Sequence, residues 1–94
     1  MLIVSGYLYL NPEDRDAWVE AHHAIIRQAR SQPGCIDLYL SADPIEDGRI
    51  NLYEQWNSEE HLEAWRAIAQ PPPKPNILGG TVQEHQISSS GPPF

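Results

Sequence analysis

The first ten residues alternate between two faces, as expected of a β-strand from Leu2 to Leu10. One face carries Leu2, Val4, Gly6, Leu8 and Leu10, and the other carries Ile3, Ser5, Tyr7 and Tyr9. Because bulky side chains occupy both faces, we expect both sides of this strand to contact another part of the protein.

The period changes at Asn11-Pro12-Glu13-Asp14, which has the features of a helix start: a capping residue, a proline at the first helical position and acids in the first turn. A helix is predicted from here to about Ser31. Its apolar stripe follows from a rotation of about 100° per residue and contains Trp18, His22, Ile25, Ile26 and Ala29. Pro33-Gly34 then turns the chain.

Two further strands are predicted at Cys35 to Ser41 and Arg49 to Trp56, separated by a short loop rich in Asp, Pro and Gly. So short a loop favours an antiparallel hairpin. In the earlier strand, Ile36, Leu38 and Leu40 are expected on one side and Cys35, Asp37 and Tyr39 on the other.

The second hairpin strand runs almost directly into a helix. Asn57 is a suitable N-cap, and Glu60 stands three residues later, where a capping-box acid belongs. The predicted helix extends from Ser58 to about Ala69, with Leu62, Trp65 and Ala69 on its apolar side.

After this helix, Gln70 to Pro75 contains four prolines and is predicted to be a stiff, extended crossover. A fourth strand is expected from Gly80 to Ile87. Residues 1–88 would then form one domain, and residues 89–94 a loose C-terminal tail.

The predicted order β-α-β-β-α-β is that of a ferredoxin-like α+β fold, a four-stranded antiparallel sheet with two helices on one face. The other face of the sheet would expose four tyrosines, Tyr7, Tyr9, Tyr39 and Tyr53. Such a patch is large for a monomer, so we expect a homodimer that packs these faces together.

Composition narrows the possible partners. The net charge is −7, from 13 acidic and 6 basic residues, without a concentrated basic patch, so neither nucleic acid nor a membrane surface is an expected partner. The apolar N-terminus lacks the flanking features of a signal peptide and is too short to span a bilayer. A cytoplasmic protein is therefore expected.

The sequence contains none of the usual metal or phosphate motifs. The lone Cys35 can form neither an intrachain disulfide nor a cysteine metal site, and the adjacent His22 and His23 point about 100° apart on a helix. Glycine-rich phosphate loops and serine nucleophile elbows are absent. We expect neither a metal nor another cofactor.

Three segments resemble the antibiotic biosynthesis monooxygenase family: Pro33-Gly34-Cys35, Arg49 to Trp56 (RINLYEQW) and Ser58 to Leu62 (SEEHL). The resemblance extends over roughly Met1 to Ile87. It implies a homodimer whose two sheets pack face to face into a barrel, a dimeric α/β barrel, and in each subunit a small apolar pocket between sheet and helices. It also implies a monooxygenase that uses O2 without a cofactor on a small aromatic, polyketide or quinol-like metabolite.

The sequence departs from the family pattern at one pocket position. Many members have a histidine nine residues after the motif tryptophan, where this chain has Trp65. The haem-degrading branch has a tryptophan there, but it also needs an asparagine and a histidine at positions that correspond to Gly6 and Pro75. Haem binding or degradation is therefore a less favoured alternative.

His22 is the candidate general base, since it interrupts the apolar stripe of the first helix and should point at the sheet. Glu54, between Leu52 and Trp56 on the strand face expected to meet the helices, is its candidate orienting partner. Gly6, Trp18, Trp56 and Trp65 are candidate pocket residues. Each also has a purely structural explanation, namely a satisfied core histidine, ordinary aromatic packing or a strand bulge at the glycine. A non-catalytic dimeric module that binds a small ligand is the alternative function.

Overall fold

A computed structural model describes residues 1–94 as one sheet with three helices. The strands are β1 (Leu2–Tyr9), β2 (Cys35–Ala42), β3 (Arg49–Trp56) and β4 (Gly79–Gln86). The helices are α1 (Pro12–Ala21), α2 (His23–Arg30) and α3 (Glu59–Ile68). All paired strands are antiparallel, in the order β2-β3-β1-β4, which confirms the predicted ferredoxin-like fold.

The core lies between one sheet face and the helices. Its central cluster is formed by Leu2, Val4, Ala29, Trp56, Leu62 and Trp65. The alternate residues of β1 that reach this face are those predicted from the sequence. By contrast, β4 contains no buried residue, so the single chain leaves its outer strand uncovered on both faces.

The predicted first helix is interrupted at His22, which is a correction to the single helix expected as far as Ser31. The Nδ1 atom of His22 lies 2.7 Å from the Trp18 carbonyl oxygen, which a regular helix would pair with the His22 backbone N–H. That N–H instead donates to the Val19 carbonyl at 3.1 Å. A side chain that competes for a backbone acceptor in this way separates α1 from α2.

Strand β2 contains an irregularity that the alternating pattern did not predict. Cys35 pairs with Trp56 and Asp37 with Gln55, so Ile36 is an extra residue between consecutive pairs. As a result Cys35 packs against the core cluster and Ile36 is 47% exposed. The sides predicted for these two residues were therefore wrong.

The start of α3 also differs in detail from the prediction. Ser58, not Asn57, is the N-cap, and its hydroxyl accepts a hydrogen bond from the His61 backbone N–H at 3.3 Å. The same hydroxyl lies 2.7 Å from the His61 ring Nδ1. Asn57 contributes its backbone N–H to the Gly34 carbonyl, which ties the strand–helix junction to the turn before β2.

The β2–β3 loop is fastened to α1 by Arg15. This guanidinium donates to the backbone carbonyls of Asp43, Glu46 and Arg49 at 3.3, 2.9 and 3.2 Å. Within the loop, the Asp43 carboxylate accepts from the Asn51 side chain and from the backbone N–H groups of Ile45 and Glu46. The hydrogen bond from Asn51, followed by the two backbone bonds, lowers the pKa of Asp43 to about 2.

Candidate active site

An apolar cavity of about 220 Å³ lies between the sheet and the helices and opens to solvent on one side. Eight of its eleven lining residues are hydrophobic. Its aliphatic wall comes from α2, β2 and β3, as Ile25, Ile26, Leu38, Leu40 and Leu52. Trp65, Ala69 and Pro71 close it from α3 and the proline-rich segment. Tyr39 of the edge strand β2 also contributes to the lining, and His22 and Glu54 are the two residues with basic or acidic side chains.

His22 is the only polar or charged residue of the chain that is buried. Its Nδ1 bonds to the Trp18 carbonyl, and since a carbonyl can only accept, Nδ1 carries the hydrogen when the ring is neutral. The Nε2 atom is then left with a free lone pair. The Trp18 indole packs edge-on against the imidazole, with ring centroids 4.4 Å apart, so the ring orientation is fixed from two sides.

Glu54 lines the same cavity but forms no hydrogen bond with His22. Its Oε1 accepts a hydrogen bond from the Trp56 indole N–H at 3.1 Å. The backbone carbonyl of Trp18, and not the Glu54 carboxylate, is therefore the atom that orients the imidazole. The sequence did not predict this contact, because a continuous helix was expected here, in which the Trp18 carbonyl would pair with the His22 backbone N–H.

The three tryptophans have different positions. Trp65 lines the cavity, and its ring stacks on that of Trp56 with centroids 6.5 Å apart and planes 22° apart. Trp56 is fully buried behind it and does not line the cavity. Trp18 lies on the outer side of His22, where its indole N–H donates to the Pro73 carbonyl at 3.2 Å.

Gly6 also lies outside the cavity lining. A Cβ atom at this position would collide with the backbone carbonyl oxygen of Thr81 on the neighbouring strand β4. The glycine therefore permits the close approach of two strands. This is neither the pocket role nor the strand bulge expected from the sequence, since β1 pairs with both neighbours without a register shift at Gly6.

The proline-rich segment contributes to the rim of the cavity. Residues 69–78 form neither helix nor strand, and Pro71 reaches the cavity. The Trp18 indole holds this segment through Pro73, while the Trp18 carbonyl holds His22. One residue of α1 thus contacts both the rim and the candidate base.

Cys35 packs on the core close to this site. Burial, and then the negative charges of Asp37 and Glu54, raise the pKa of its thiol above the usual value. A raised pKa keeps the sulfur protonated at neutral pH, which makes it a poor nucleophile. We assign it a packing role.

No group of three or more His, Cys, Asp or Glu side chains lies close enough together to hold a metal ion. None of the helices is both long and apolar enough to cross a membrane.

The chain is thus a ferredoxin-like α+β domain with an apolar cavity under its helices, and a histidine lies in the wall of that cavity. Residues 1–70 match the family of antibiotic biosynthesis monooxygenases, so the chain is a member of that family. A curated relative is an uncharacterised protein, sll1783, from Synechocystis, which is 26% identical over 62 residues. The match covers 66% of this chain but only 42% of the length of that relative.

Solved structures confirm the fold. An antibiotic biosynthesis monooxygenase superposes with a TM-score of 0.70 at 20% identity, covering 95% of this chain and 100% of that one. The protein PA3566 of Pseudomonas aeruginosa gives 0.71 at 14% identity, with 94% of each chain covered. The haem degrader MhuD of Mycobacterium tuberculosis gives 0.65 at 15% identity, covering 93% of this chain and 95% of MhuD.

Proposed function

We propose that the protein is a homodimeric monooxygenase that oxidises a small phenolic or quinol-like aromatic with O2 and without a cofactor. The observation that carries the proposal is a buried histidine that lines an apolar cavity and has its Nδ1 paired with a carbonyl, which leaves Nε2 free. Membership of the monooxygenase family supports the same reaction class. The cavity, at about 220 Å³, is smaller than most drug-binding pockets, which favours a guest of one or two rings.

In the proposed reaction, Nε2 of His22 removes the proton of the substrate hydroxyl. The resulting phenolate is electron-rich and transfers electrons to O2 directly. A phenol with a free para position plus O2 gives a para-quinone plus water: one oxygen atom enters the ring, and the other leaves as water with the two hydrogens lost from the substrate. The balance requires no further reductant.

Glu54, Trp65 and Trp56 have supporting roles in this scheme. The carboxylate of Glu54 faces the same cavity, and its negative charge stabilises the imidazolium that forms when His22 accepts the proton. The Trp65 indole supplies an aromatic surface on which a flat substrate can stack. Trp56, stacked behind Trp65, fixes the orientation of that indole and donates to Glu54.

Oxygen uptake across a panel of phenols, naphthols and quinols tests the proposal, with spontaneous oxidation subtracted. We expect uptake with at least one member, and a fall of about 100-fold or more in His22→Ala, the usual contribution of a positioned general base. Glu54→Gln should lower the rate by a smaller factor. Gln28→Ala, an exposed change on α2, should leave it unaltered.

Uptake that survives in His22→Ala removes the histidine from the reaction. Binding of the same aromatics without oxygen consumption would support the non-catalytic ligand-binding module instead. Titration with haemin addresses the haem-binding alternative, which predicts a Soret band.

A further inference from the structure

A second concave surface lies beside the cavity, between α2 and β2. Its volume is about 280 Å³, and three of its six lining residues are His23, Arg27 and Arg30. These residues are spaced four and then three positions apart, so they project from one side of α2. We call this surface the basic groove.

The basic groove concentrates positive charge in a strongly acidic protein. The chain has 6 Lys and Arg residues against 13 acids, and two of the six lie here. The Arg27 guanidinium has no carboxylate within 4 Å and no hydrogen-bond partner in the chain. Arg30 donates to the Leu38 carbonyl at 2.8 Å and lies 3.8 Å from Asp37, the only carboxylate paired with an arginine of the groove. Arg27 therefore keeps its full capacity to bind an external anion.

The groove and the cavity are adjacent, because Ile26, Tyr39 and Leu40 line both. A molecule that spans the two would cross the wall formed by these three residues. Two residues that line the cavity, Glu54 and His22, have polar side chains, and neither a carboxylate nor a neutral imidazole with a free lone pair attracts an anion. A ligand with one anionic group would thus place its aromatic part in the cavity and its charge at the groove.

We propose that the basic groove is a carboxylate subsite for the aromatic substrate, with Arg27 as the principal contact and Arg30 beside it. The inference rests on the proposed function and specifies the substrate class as an aromatic acid that carries a hydroxyl group. Cations in the last turn of a helix also suit its dipole. The dipole explains why two arginines are favoured at this end of α2. The wall shared by groove and cavity explains why Arg27 would lie next to an aromatic acid bound in the cavity.

The test compares two ligands that differ only in charge, hydroxynaphthoate and the matching neutral hydroxynaphthamide. Binding is followed by quenching of tryptophan fluorescence, since Trp65 lines the cavity, and by calorimetry. We expect the carboxylate to bind about fivefold more tightly, the effect of one solvent-exposed guanidinium–carboxylate pair. Added salt should reduce this preference, because the groove is open to solvent.

Substitutions at Arg27 test whether the preference for the carboxylate over the amide arises at the basic groove. Arg27→Gln should remove most of it while leaving the affinity for the neutral amide unchanged, and Arg27→Lys should retain much of it. Arg66→Gln is the matched control, because Arg66 is an exposed arginine of α3 that faces Glu84 of β4 and lines neither surface. It should change neither affinity.

Equal binding of the two ligands would overturn the carboxylate subsite and leave the proposed oxygenase intact. So would an Arg27→Gln variant that weakens both ligands to the same extent. If neither ligand binds and no aromatic supports oxygen uptake, the proposed function fails together with the subsite.

Discussion

The hydrogen bond between the His22 Nδ1 and the Trp18 carbonyl has two effects on the structure. It breaks the helix at His22 by displacing a backbone hydrogen bond, and it fixes the tautomer that leaves Nε2 free. Removing the imidazole should therefore alter both the geometry of the α1–α2 junction and the candidate chemistry. For this reason circular dichroism must accompany the oxygen-uptake measurements on His22→Ala.

Gly6 allows a sharp test of a residue that the sequence left ambiguous. Gly6→Ala should destabilise the protein by about 1–3 kcal/mol, since the added methyl group collides with the Thr81 backbone, which cannot rotate away. Urea unfolding measures the change. Gly79→Ala is the control, because a Cβ there meets no atom within 4 Å, and it should be neutral. A neutral Gly6→Ala would mean that β4 does not approach β1 so closely.

For single residues, the side of a helix or strand could be predicted from the sequence where regular local spacing determines it. The inward position of His22 followed from helical periodicity, as did that of Trp65 on the apolar side of its own helix. Glu54 was placed on the strand face toward the helices, and all three residues line the cavity. The side of Cys35 could not be predicted, because one extra residue at Ile36 reverses the alternation without any sign in the composition. The contributions of Tyr39 and Pro71 to the cavity depend on tertiary packing and have no local signal.

Among the elements, α3 offers a direct comparison of two adjacent capping candidates. Ser58→Ala should cost about 1 kcal/mol of folding free energy, because the first turn loses its hydroxyl acceptor. Asn57→Ala should change stability by less than about 0.5 kcal/mol, since its exposed side chain makes no hydrogen bond. Thermal and urea unfolding of the two variants show which residue caps the helix. A larger loss from Asn57→Ala would restore the cap that the sequence favoured.

The β2–β3 loop should make stability depend on acid pH through Asp43. Its pKa in the folded state is about 2, below the unfolded value of about 3.9, so its stabilising effect is complete above the unfolded pKa. That effect is lost as the pH falls from about 4 toward 2. Asp43→Asn should flatten this part of the curve of unfolding free energy against pH. Asp47→Asn, exposed in the same loop, should leave the acid slope as it is.

Element order was predictable because each change of period in the sequence marks a change of structure. The strand at Arg49–Trp56 matched its predicted bounds, and the other strands differed by one residue at one or both ends. The helix break and the true cap were not predictable. Both depend on which of several nearby polar groups pairs with a backbone atom, and Ser58 and Asn57 are nearly equivalent in capping preference.

At the scale of the whole molecule, the single chain leaves much apolar surface unprotected. Only 10 of 94 residues are buried, which is a small core even for a short chain. The sheet face opposite the helices carries the four tyrosines in two contacting pairs. Tyr39 and Tyr53 stack with centroids 5.5 Å apart, and Tyr7 and Tyr9 pack edge to face at 5.6 Å. Arg49 covers the Tyr7 ring at 4.1 Å.

This tyrosine face is where we expect two copies to associate, because aromatic rings already held in place lose little conformational entropy when a partner covers them. Sedimentation at micromolar concentration should give twice the mass of the 10.6 kDa chain. Tyr53→Asp should yield a monomer, because a charge would be buried without a partner. Ile68→Asp, a similar change at an exposed position of α3 on the helical side, should remain dimeric. Loss of the dimer in both variants would place the interface on the helices, and a wild-type monomer would leave the tyrosine face without a partner.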